Sequence, residues 1–129
     1  MKIILSILIA LFLCSSSCEK LVDHVYSIKI QNNSEGAISF YVSINYPDTS
    51  IVSEKPQLKI AYPSKYTYWD SKEKWDDIVP SDTIAVYIFS KNTVDLYSWE
   101  EIKNDNMILK RYDLSIKDLE KQSWTVTYP

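Results

Sequence analysis

From Ile38 to Tyr46 the sequence ISFYVSINY changes character at every residue. Ile38, Phe40, Val42, Ile44 and Tyr46 fall on one face of an extended chain, and Ser39, Tyr41, Ser43 and Asn45 on the other. An apolar set that recurs every second residue is buried together only by a strand, since a helix would scatter it around its circumference. The stretch ahead, VYSIKIQ, obeys the same rule, with Tyr26, Ile28 and Ile30 facing in and Ser27, Lys29 and Gln31 facing out. NNSEG separates the two, and its Gly36 is free to take the left-handed conformation that closes a short loop. The expectation is a β-hairpin buried on one face.

Gly36 is the only glycine in 129 residues. A dinucleotide fingerprint, a phosphate-binding loop and a nucleophile elbow each need several glycines at fixed spacing, because backbone must approach a ligand closely or take positive φ. All three are excluded. Ten tyrosines and four tryptophans stand against that scarcity and call for a large core or an exposed aromatic surface.

Prolines 47, 56, 63 and 80 interrupt the middle of the chain, which therefore reads as loops around one short edge strand, Leu58 to Tyr62. In DSKEKWDDI, Asp70 with Glu73 three residues on is placed to cap one or two helical turns. TIAVYIFS is apolar on both faces, as a central strand covered on both sides would be. Two capping boxes follow. Ser98 with Glu101 opens one short helix, flanked by Tyr97 and Ile102 as a hydrophobic staple, and Ser115 with Asp118 opens another, flanked by Leu114 and Leu119. Between them MILKRYDL reads as a strand, and WTVTY closes the chain with Trp124, Val126 and Tyr128 on one face. Helices of two turns span only about 11 Å against strands nearer about 20 Å, too short for βαβ crossovers. The fold class expected is mainly β, an antiparallel β-sandwich with two or three short helices between the C-terminal strands. The alternative is an α+β domain with its helices on one face of an antiparallel sheet.

The front of the chain has a different logic. After Met1 and Lys2, the run Ile3 to Leu13 is apolar except for Ser6. It is about half of the roughly 20 residues a membrane-spanning helix needs. A charged start, a short apolar core and small residues after it are the parts of a secretory signal peptide. Both cysteines lie just beyond, in LCSSSCEK. A Cys14–Cys18 disulfide would close a tiny loop next to a segment that leaves with the signal, and a metal site needs more ligands than two thiols. SSSC resembles a bacterial lipobox, in which a small residue precedes the cysteine that receives the lipid. Ser15 stands where that motif usually has leucine, and bulky Leu13 disqualifies Cys14. Residues 1–17 are thus expected to be a removed lipoprotein signal peptide, Cys18 the lipidation site, 18–23 a tether, and 24–129 a single β-rich domain. A cell-envelope location follows, with the outer membrane expected and the periplasmic or surface face left open.

Removal of residues 1–17 takes away only Lys2, leaving 13 basic against 17 acidic side chains and a net charge near −4 with His24 neutral. No basic patch invites nucleic acid. His24 is the only histidine, so no metal ligand set and no cofactor site is expected. The carboxylate pairs Asp76–Asp77 and Glu100–Glu101 are adjacent in sequence and point apart, and Glu101 is engaged in a cap, so both read as solvated surface. YPSKYTYWDSKEKW is more suggestive. It concentrates Tyr62, Tyr66, Tyr68, Trp69 and Trp75, flat rings that stack on a sugar face or else fill a core. Asp82-Thr83-Ile84 matches a short acceptor pattern for O-glycosylation, which would place a glycan on Thr83. Asn32-Asn33-Ser34 is a sequon that reads as turn chemistry.

The segments FYVSINYPDTS, YWDSKEKWDDIVPSDTI and SWEEIKNDNMILKRYDLSIKDLEKQSWTVTYP resemble small uncharacterised lipoproteins of Bacteroides-type bacteria across most of the mature chain. The resemblance implies lipid attachment at Cys18 and a cell-envelope home, and it implies no chemistry. Three functional readings follow. The first is a membrane-anchored, non-catalytic binding or scaffolding module whose partner is a glycan or an envelope protein. The second is a glycan-binding accessory lipoprotein that uses the aromatic stretch 62–75, and the third a small hydrolase whose site assembles only in three dimensions.

Overall fold

A computed structural model describes residues 24–129. Seven strands form two sheets, as the mainly β expectation required. The three-stranded sheet has the order β4-β1-β7, from β1 (Tyr26–Asn32), β4 (Tyr66–Ser71) and β7 (Thr125–Tyr128). The four-stranded sheet has the order β3-β2-β5-β6, from β2 (Ile38–Ser43), β3 (Lys59–Ala61), β5 (Thr83–Ser90) and β6 (Lys110–Ser115). Every pairing is antiparallel except β1 with β7, which is parallel. Four short helices lie between the strands of the second half: α1 (Trp75–Ile78), α2 (Lys91–Leu96), α3 (Trp99–Asn104) and α4 (Ile116–Lys121).

The main core lies between the sheets. Ile28 and Ile30 of β1 and Val126 of β7 meet Ile38 and Phe40 of β2 and Ile84, Val86 and Ile88 of β5, with Trp75 and Leu119 filling the ends. A second cluster lies on the far side of the four-stranded sheet. There Tyr41, Ala85, Tyr87 and Phe89 are covered by Trp99 and Ile102 of α3 and by Ile51 and Val52 of the 44–58 connection. Among the described residues the sandwich therefore carries a third layer on one side only, and the outer face of the three-stranded sheet is left open by them.

Several expectations are corrected. β1 and β2 do not form a hairpin, since they lie in opposite sheets. NNSEG is an arch between the sheets, and Gly36 has no positive φ. The arch is tied by Asn32, which is fully buried. Its Nδ2 donates to the carbonyls of Gly36 and Ala61, both at 2.9 Å, and its Oδ1 accepts from the Ser34 N–H at 2.9 Å and the Ser34 hydroxyl at 2.6 Å. The alternation of β2 is real, but its expected outer face is covered: Ser39 and Tyr41 are both 2% exposed. Residues 66–71 form a strand where loop was expected. Asp70 caps no helix there; it accepts from the Ser27 hydroxyl, and α1 starts at Trp75 with Lys74 at the N-cap position and no side-chain cap. α2 was not foreseen.

The edge strand β3, the doubly covered central strand β5 and both capping boxes match expectation. Ser98 and Ser115 each accept from the backbone of Glu101 and Asp118, whose carboxylates accept in return. A lost cap of this kind costs about 1 kcal/mol, a large share of what a six-residue helix can hold by itself.

Candidate functional site

The strand register of the open sheet determines what it presents. β1 and β4 pair with Ser27 opposite Asp70, Lys29 opposite Tyr68 and Gln31 opposite Tyr66, and on the other side Lys29 and Gln31 stand opposite Thr125 and Thr127. Side chains alternate, so these residues share the outer face. Tyr66 is 51% and Tyr68 45% exposed. Their rings meet edge to face with centroids 5.3 Å apart, and Lys29 Nζ sits 4.1 Å from the centre of the Tyr66 ring. Ammonium over a ring face and ring edge against ring face are both favourable arrangements of the aromatic quadrupole. They hold two amphipathic rings in fixed positions on an uncovered surface.

At one end of this face a pocket of about 370 Å³ opens. Val25, Tyr26 and Ser27 line it where the chain enters β1, Lys74, Trp75 and Asp76 where α1 begins, and Trp124 where the chain enters β7. Ser27 belongs to both regions: it lines the pocket, and its hydroxyl donates to Asp70 Oδ1 at 2.5 Å on the open face. Trp75 is 4% exposed, and its indole nitrogen is buried with no hydrogen-bond partner among the described residues.

Trp124 stands out for its backbone. Among the described residues five non-glycine residues have positive φ, and four of them, Ser64, Asp82, Asn106 and Ser123, carry short polar side chains of the sort that enter the left-handed region most readily. The fifth is Trp124, at φ 57°. Such a placement costs a bulky residue about 1 kcal/mol or more. It is held by two short backbone bonds: the Trp124 N–H donates to Leu119 O at 2.7 Å, ending α4, and Trp124 O accepts from Lys29 N at 2.8 Å, opening the parallel ladder with β1. The connection from α4 to β7 thus turns the Trp124 indole into the pocket wall.

Comparison with protein-family models, with curated proteins and with solved structures returns no match.

The five aromatic residues singled out in the sequence divide between two environments. Tyr62, Tyr66 and Tyr68 are exposed. Trp69 points the other way along β4, half-buried, with its ring 6.2 Å from that of Phe40 and packed against both clusters. Trp75 belongs to the main core and also lines the end pocket. Thr83 is half-buried at the start of β5, paired with Ser115, and its carbonyl accepts from the Ser81 hydroxyl at 3.2 Å. His24 is exposed at the start of the described residues. Cys18, the signal peptide and the tether lie outside the described residues. Lys29, Gln31, Lys74 and Trp124 were not singled out as site residues. The outward set of β1 was legible, but its pairing with the tyrosines of β4 depends on partners about 35 to 39 residues away, which no local pattern specifies.

Proposed function

We propose that this chain is a lipid-anchored, non-catalytic binding module of the cell envelope, held to a membrane through Cys18 and working through the open face of its three-stranded sheet. The observation that carries the binding half is the pair Tyr66 and Tyr68, two rings about half exposed on a sheet face that no other layer among the described residues covers. Exposed aromatic rings with a polar tip suit surfaces that exchange water for a ligand. The anchor half rests on the sequence MKIILSILIALFLCSSSC, whose resemblance to a lipoprotein signal supports a lipid on Cys18. One acyl chain anchors marginally and several anchor firmly, at about 0.8 kcal/mol per buried methylene group.

The test is the intact mass of the chain recovered from membranes. The expected result is a first residue Cys18 carrying a diacylglyceryl group, and a Cys18→Ala chain that no longer partitions with the membrane. An unmodified cysteine at the mature N-terminus overturns the anchor. A glycan-binding role is the reading of the same surface favoured by the tyrosine pair, because flat rings beside hydrogen-bonding side chains match the alternating C–H and hydroxyl surfaces of a sugar.

A further inference from the structure

The end pocket and the tyrosine face form one continuous path. Ser27 lines the pocket; Asp70, its partner, stands on the open face beside it; the next outward pair is Lys29 with Tyr68, and the next Gln31 with Tyr66. From Ser27 to Gln31 the path runs about 13 Å along the strands. Its start is a concave site with three aromatic walls, Tyr26, Trp75 and Trp124, and its continuation is a flat one with two exposed rings.

We propose that this path binds a neutral glycan chain, with one sugar residue in the pocket between Tyr26, Trp75 and Trp124 and the following residues laid across Tyr68 and Tyr66. The inference rests on the binding half of the proposed function and is independent of the lipid anchor. Charge complementarity selects the ligand class. Aromatic walls alone would suit a quaternary ammonium group, but the pocket carries Lys74 beside Asp76, one cation and one anion, so it favours neither sign. The flat part of the path repeats the pattern with Lys29 and Asp70. Each pair supplies a donor next to an acceptor, which is what a hydroxyl, donor and acceptor at once, can satisfy without carrying charge.

One feature of the lining points the same way. Trp124, which lines the pocket, occupies a backbone conformation that its side chain disfavours, and strained conformations concentrate at ligand clamps. The pocket, at about 370 Å³, falls within the range of small-molecule sites.

The test uses the full chain purified in detergent, with maltohexaose, cellohexaose, mannohexaose and laminarihexaose as neutral probes and choline and an oligogalacturonate as charged ones. Saturation-transfer NMR and titration read the binding. At least one neutral hexasaccharide is expected to bind saturably, and Asp76→Asn and Tyr68→Ala are each expected to weaken it about tenfold. Asp76 and Tyr68 are exposed, so both variants keep the native melting temperature. Tyr97→Ala, an exposed tyrosine away from the path, leaves binding unchanged. Failure of all four neutral probes, stronger binding of choline or oligogalacturonate, or binding that survives both substitutions overturns the proposal. An acylated Cys18 in the same preparation would leave the anchor standing while the glycan site falls.

Discussion

Tyr41 shows how much one residue can depend on its tertiary setting. It lies on the far side of the four-stranded sheet, stacked on Tyr87 with ring centroids 4.5 Å apart and planes 6° from parallel, and Trp99 stands edge-on at 6.3 Å. Burial pushes its phenol up to about 12, partly offset by the Val52 N–H that donates to its oxygen. Tyr87 is raised as well, chiefly by burial. A phenol whose folded pKa exceeds its unfolded value of about 10 stabilises the fold fully below pH 10, and that contribution is lost as pH rises through 12. Part of the tyrosine absorbance change in an alkaline titration should therefore appear only with unfolding, and Tyr41→Phe should move the alkaline unfolding midpoint upward. An unchanged midpoint would show that another group governs alkaline unfolding. Asn32 is the comparable case among neutral residues, since both amide hydrogens and the amide oxygen are used in joining the arch to the end of β3.

Elements in this protein are short and owe their boundaries to specific hydrogen bonds. α3 and α4 each have six residues and begin at a complete capping box. The Ser115 N–H, and next the Ser115 hydroxyl, hold the Asp118 carboxyl below the usual carboxylate range, so the contribution of that carboxylate is present above about pH 4 and is lost as pH falls through its folded value. The arch between β1 and β2 gives the sharper prediction. Gly36 has no positive φ, and a Cβ added there would meet nothing within 4 Å. The one glycine in the chain is thus not required by its conformation. Gly36→Ala should stabilise the protein by about 0.4–1 kcal/mol through the lost freedom of the unfolded chain, measured as a higher midpoint in urea. A loss of stability would mean that the arch needs glycine for a reason other than φ or space.

At the scale of the whole molecule, the two sheets are joined along both edges by side chains. At one edge Thr67 Oγ1 donates to Ile60 O at 2.6 Å and Lys59 Nζ to Tyr68 O at 2.7 Å. At the other, Tyr112 Oη of β6 donates to Thr127 O of β7 at 3.1 Å, beside a groove of about 410 Å³ lined by Tyr112, Leu114, Thr125 and Thr127. With no backbone ladder between β6 and β7, this hydroxyl is the polar link across that edge among the described residues. Tyr112→Phe should cost about 1 kcal/mol and speed amide exchange in β7 more than in β5, which native-state hydrogen exchange can read. Equal acceleration everywhere would show that the edge opens only with global unfolding.

The sequence by itself determined the class of fold, strands within 25–31, 37–46, 83–90, 107–114 and 124–128, and both capped helices, because alternation and capping are local and their signals lie within a few residues. It also singled out Tyr66 and Tyr68. It could not decide which strands pair. An arch and a hairpin leave the same polar gap between two alternating strands, and only the Asn32 network, which reaches Ala61 29 residues on, selects the arch. Nor could it decide which faces are covered, since Ser39 and Tyr41 look outward by period yet both are buried, Tyr41 beneath α3 and the 44–58 connection. The candidate site depends on the same long-range choices. Trp124 meets Tyr26 only because the chain's last strand pairs in parallel with its first described one, and the pocket exists only once that closure is made.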